Sequence, residues 1–135
     1  MDSTGSLNVL IIEDDIRTRD LLRVGLDIFP SLAVDSVEPA WAEGVVGERN
    51  FDLILLNLEL PGDRDGLELV KALREIDPRP EFILLTRGRS SRFLSSQKNA
   101  NNIFAFLTLP LDVATFFKTM ARARDRIAEK IRATR

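Results

Sequence analysis

At 135 residues, 44% of them hydrophobic and 30% charged, the chain has the length and composition of one globular domain able to bury a single core. It contains no cysteine and no histidine, which excludes disulfides, thiolate metal sites, cysteine nucleophiles, phosphohistidine relays and the commonest general base. Net charge is −2, yet residues 118–135 hold seven Lys or Arg against Asp125 and Glu129, a balance of +5 that leaves −7 on the other 117 residues.

Read in chain order, strand and helix patterns alternate five times, the pattern of a parallel sheet covered on both faces. Residues 1–7 lack the charged and apolar regions of a signal peptide and are expected to be disordered. A first strand, Asn8–Ile12, ends in Glu13, Asp14 and Asp15. The helix over Ile16–Leu26 follows, capped by Asp14 or Asp15, with Ile16, Leu21, Leu22, Val24 and Leu26 expected to be buried. A second strand spans Leu32–Val37, and a helix over Ala40–Glu48 follows Pro39, with Trp41 as a half-buried surface anchor. The third strand, Phe51–Leu56, runs into Asn57. A helix over Gly66–Ile76 is capped by Asp65 and carries Leu67, Leu69, Val70, Leu73 and Ile76; Gly66 is unfavourable at a helix start unless the turn requires it. A fourth strand, Glu81–Leu85, precedes a polar, weakly helical segment over 90–99 that is expected to be short or mobile. The fifth strand, Ile103–Leu107, leads to a helix beginning at Asp112 with Val113, Phe116, Met120, Ala123 and Ile127 on one stripe. Apolar runs such as VLII and LILL are too short to cross a bilayer, so the expected compartment is the cytoplasm. The organisation expected is a single core domain over 8–127 and a helical extension over 128–135.

The order of landmarks resembles the receiver domain of bacterial response regulators over essentially the whole chain. The acidic pair after the first strand matches Glu13 and Asp14 in IIEDD. The resemblance puts the family's phosphoacceptor Asp on Asn57, its strand-four hydroxyl on Thr86 in FILLTRG, its switching aromatic on Phe106, and its Lys-Pro pair on Leu109 and Pro110 in FLTLP. It implies a doubly wound α/β fold of five parallel strands and five helices, flavodoxin-like, with its site at the carboxyl ends of the strands.

Two of those landmarks carry different chemistry here. An amide oxygen at 57 cannot attack phosphorus as a carboxylate does, and Leu109 supplies no ammonium for the transferred oxygens. Arg87, directly after Thr86, is long enough to enter the phosphoryl space, and the loop PGDRDG is one residue longer than usual. The reading is a degenerate, non-enzymatic pseudo-receiver with no cofactor and at most a weak Mg²⁺ site at Glu13 and Asp14. Asn57 would relieve carboxylate crowding, and Arg87 would pair with Glu13 or Asp14.

Function would then rest on surfaces. The resemblance points to a protein partner or a homodimer through the fourth helix, fifth strand and fifth helix, with Phe104, Phe117 and Phe93 outward and Arg89, Arg92, Lys118 and Arg122 on the rim. Other readings are an atypical receiver in which Asp63 or Glu59 accepts the phosphoryl group, and nucleic-acid contact through the basic last helix, which lacks interleaved aromatics. A flavin site is less well supported, since the first loop offers carboxylates and no phosphate cradle. No membrane contact is expected.

Overall fold

The computed structural model describes residues 6–62 and 64–134. Five strands, β1 (Leu7–Ile12), β2 (Leu32–Val37), β3 (Leu53–Asn57), β4 (Glu81–Thr86) and β5 (Ala105–Thr108), form one parallel sheet in the order β2-β1-β3-β4-β5. Between them run α1 (Ile16–Leu26), a 3-10 turn (Pro39–Trp41) leading into α2 (Ala42–Glu48), α3 (Gly66–Ile76) and α4 (Ser91–Ala100); α5 (Val113–Ala133) follows β5. The central strands β1, β3 and β4 are apolar at nearly every position because both faces are covered. On one face, Val9, Ile11, Leu55 and Leu85 meet Leu22 and Leu26 of α1 and Phe116, Met120, Ala123 and Ile127 of α5. On the other, Leu10, Ile54, Leu56, Phe82 and Leu84 meet Val46 of α2 and Leu69, Val70 and Leu73 of α3.

The helix starts follow from their caps. Asp15, Ser90 and Asp112 accept from backbone N–H groups of the first turns of α1, α4 and α5, and Asp65 and Glu68 form a reciprocal capping box on α3. Gly66 is needed where α3 crosses the end of β3. Its N–H donates to the Leu58 carbonyl at 2.7 Å, and a Cβ there would lie 2.8 Å from Leu58 Cα.

Several expectations need correction. Leu7, placed in a disordered leader, opens β1 and is buried; residues 1–5 lie outside the described residues. Ile16, Leu21 and Val24 are exposed, because α1 buries only the Leu22–Leu26 stripe. Ile76 and Val113 are exposed as well, each sitting at a helix end beyond the sheet's cover. Trp41 is mostly exposed. The polar segment over 90–99, by contrast, is helical as expected, forming the ten residues of α4 with no buried side chain.

The far end of α5 is tied to the sheet. Glu81, buried at the start of β4, accepts from Lys130 Nζ at 2.7 Å and Arg126 Nε at 3.2 Å. Lys130 also donates to the Arg79 carbonyl at 3.1 Å.

Candidate functional site

The strand order reverses between β1 and β3, which opens a crevice beyond their carboxyl ends. Because Ile12 pairs with Leu56, the next residues, Glu13 and Asn57, come side by side. Glu13 is buried and Asn57 half-buried. The Asn57 side-chain amide donates to Glu13 Oε1, and the Asp15 backbone N–H donates to Oε2 at 3.0 Å. Both carboxylate oxygens therefore have a donor. Burial pushes the Glu13 carboxyl above its ordinary value; the Asp15 N–H opposes the rise, Asp14 adds to it and the Asn57 amide again opposes it. Asp14 itself is exposed. The Asp15 side chain, by contrast, caps α1, and bonds from Thr18 hold its carboxyl below the usual range.

Thr86 ends β4 and is fully buried. Its hydroxyl donates to Glu59 Oε2 at 2.7 Å, the Arg87 N–H donates to Glu59 Oε1 at 3.2 Å, and Arg89 Nε stands 3.6 Å from Oε2. Glu59 thus reaches across from the β3–α3 loop and bridges three groups at the start of the β4–α4 loop. This latch is missing from the sequence reading, where Glu59 enters only as an alternative acceptor. The one sequence signal for it is an acid two residues beyond Asn57.

Arg87 does not pair with Glu13 or Asp14. Its side chain is exposed and only its backbone N–H reaches the site, since Glu13 is already satisfied by Asn57 and Asp15. Leu109 is half-buried against the α1–α5 side of the core, with its N–H on the Thr86 carbonyl at 2.7 Å; the Leu109–Pro110 peptide is cis. Asp63 lies outside the described residues.

The switch and interface residues separate. Phe106 is half-buried on the α4 side with Phe93 and Leu94. Phe93 carries the Arg89 guanidinium 4.7 Å above its ring, and Phe104 carries that of Arg122 at 5.6 Å. Phe117 does not join this face. It packs edge-on against Phe29 at 6.2 Å and beside Phe116 at 5.8 Å, because its position on α5 turns it toward α1.

A doubly wound sheet with an acidic residue after β1, a polar residue ending β3 and a hydroxyl ending β4 defines a receiver-type α/β domain. The chain matches the response regulator receiver domain over residues 9–121 and belongs to that family. It is 37% identical over 94 residues to the transcriptional regulatory protein ResD of Bacillus subtilis, covering 67% of this chain and 38% of that protein. It is 31% identical over 125 residues to the transcriptional regulatory protein KdpE of Staphylococcus aureus, covering 91% and 50%. The chain thus spans half or less of the length of these curated relatives. Among solved structures, the signal receiver domain of a putative LuxO repressor from Vibrio parahaemolyticus superposes with a TM-score of 0.83 at 19% identity, covering 95% of this chain and 97% of that one. Chemotaxis protein CheY4 of Vibrio cholerae gives 0.73 at 22%, covering 87% and 98%. Among the described residues no helix is long and apolar enough to cross a membrane.

Proposed function

We propose that this receiver domain works without phosphoryl transfer, as a protein-interaction module in two-component-type signalling. One observation carries the reading: Glu13, Asn57 and Thr86, the groups at the ends of β1, β3 and β4, are each already paired with a neighbouring protein group. Asn57 closes on Glu13, and Glu59 closes on the Thr86 hydroxyl and the Arg87 N–H. An Asn at 57 is no nucleophile toward phosphorus, and Leu109 turns into the core where a cation would be needed.

The residues also fit a divalent cation poorly. Hard cations want several anionic or carbonyl oxygens with free lone pairs. Here each Glu13 oxygen keeps only part of its acceptor capacity, Asn57 turns its N–H₂ toward Glu13, Asp14 is exposed, and among the described residues no group of three His, Cys, Asp or Glu is placed to hold a metal. The reading therefore involves no cofactor.

A signalling protein would dock on α4, β5 and α5, where Phe93 and Phe104 lie under Arg89 and Arg122. Intact mass after incubation with acetyl phosphate and Mg²⁺ tests the central claim. An unchanged mass is expected; a stoichiometric, acid-stable or alkali-labile phosphate adduct would refute it.

A further inference from the structure

The segment from Arg87 to Leu111 carries Arg87, Arg89, Arg92 and Lys98 and no Asp or Glu. The carboxylate that meets its first turn comes from another loop. Glu59 offers Oε2 to the buried Thr86 hydroxyl at 2.7 Å and Oε1 to the Arg87 N–H at 3.2 Å, with Arg89 Nε 3.6 Å from Oε2. A hydroxyl, a backbone N–H and a guanidinium converging on two oxygens are the donor set of an oxyanion site. Here a side chain of the same molecule fills it.

Little else fixes the turn that supplies those donors. Residues 87–90 are exposed, a Cβ at Gly88 would meet nothing within 4 Å, and α4 behind them buries no side chain. Glu59 is better anchored, because its backbone bridges to Asp65, the cap of α3. An exposed ion pair such as Glu59–Arg89 is weak by itself. Arg89 is held from a second side, however, with its guanidinium 4.7 Å above the Phe93 ring. The Glu59 carboxylate therefore acts, through Arg89, on an aromatic of α4.

We infer that Glu59 is a built-in ligand of this oxyanion site, an autoinhibitory contact that keeps the Arg87–Ser90 turn closed and Arg89 laid over Phe93. A free carboxylate occupies the same donors once Glu59 is removed. Only the bearing of this contact on partner docking rests on the proposed function; the contact itself does not.

Chemical rescue of the whole chain, followed by hydrogen exchange and NMR, tests the inference. Glu59 is exposed, so Glu59→Ala keeps the fold, and the amides of Arg87, Phe93 and Leu94, bonded in the parent, lose protection. Sodium acetate then takes the vacated place. For a ligand this small, with a dissociation constant of about 0.1 M, acetate at about 0.3 M slows their exchange about fourfold by mass action. Sodium chloride or acetamide at the same concentration leaves the variant's exchange fast, and acetate leaves the parent's exchange as it was. Glu59→Gln keeps the size and one acceptor oxygen without the charge, and should lose the upfield ring-current shift of the Arg89 side-chain protons; acetate should restore that shift in Glu59→Ala. Failure of acetate to rescue, equal slowing by acetate, chloride and acetamide, or an Arg89 shift that survives both substitutions overturns the inference. These readouts use no phosphoryl donor, so a phosphate adduct on the parent would refute the proposed function and leave them unchanged.

Discussion

Replacing Asn57 by Asp restores the residue type that the family carries and, on the geometry here, should cost stability. The substitution removes the amide that donates to Glu13 Oε1 and sets a second carboxylate against a buried one, with Asp14 close by. Losing a hydrogen bond to a charged acceptor is worth about 1.5–3 kcal/mol. Two like charges about 4 Å apart repel by up to about 4 kcal/mol at an effective dielectric of 20. Because position 57 is half-exposed, solvent screens much of that repulsion, and a net loss of roughly 3 kcal/mol is expected. For a chain of this length that corresponds to a melting temperature lower by roughly 10 °C.

The pH dependence gives the loss a signature. Glu13 already titrates above its ordinary value, so it binds a proton more readily folded than unfolded. Its contribution is therefore fully present below the unfolded carboxylate range and is lost as pH rises through the raised folded value. A second carboxylate strengthens this effect, so Asn57→Asp should differ most from the parent near pH 8 and least near pH 4.5. Mg²⁺ should recover part of the gap by binding the folded variant. Circular dichroism melts at the two pH values, with and without Mg²⁺, measure each term. A variant as stable as the parent at pH 8 without Mg²⁺ would refute the account of the Glu13–Asn57 pair.

Two further outcomes follow from the same neighbourhood. Gly66→Ala should destabilise by about 2 kcal/mol or more, since its Cβ meets the backbone of Asn57 and Leu58 rather than a yielding side chain; chemical denaturation would show a lower midpoint with an unchanged slope. Glu59→Ala should leave the buried Thr86 hydroxyl and the Arg87 N–H without their acceptor. Hydrogen exchange of residues 87–100 should quicken about tenfold or more while the central strands stay protected, and uniform acceleration across the chain would contradict a local latch.

Most of the framework was legible in the sequence because its signals are local. The bounds of α1 and α3 follow from Asp15 and Asp65 as caps, and the buried strands from uninterrupted apolar runs. What misled was α1, which carries more apolar residues than its contact stripe can hold. Periodicity registers Leu21 and Val24 as core candidates, and only the face that α1 lays on the sheet and α5 decides that Leu22 and Leu26 are the pair buried. Phe117 failed for a related reason: an aromatic on α5 can turn toward α1 or toward α4, and the choice depends on Phe29, 88 positions away in sequence. The adjacency of Glu13 and Asn57 was readable from the strand register. The bridge from Glu59 to Thr86 was not, since it depends on how two loops fold over one another.

The tie between Glu81 and the far end of α5 has a mechanical meaning. A helix of 21 residues is about 31 Å long, and here it is held at two separated points. Phe116 and Met120 seat its first half in the core, while Arg126 and Lys130 fasten its second half to the opposite rim of the sheet. Supported at both ends, α5 behaves as a braced beam rather than a cantilever. Through Glu81 the far end of α5 is linked to β4, the strand whose other end carries Thr86. The molecule thus contains a stiff rod coupling its two rims along a single strand.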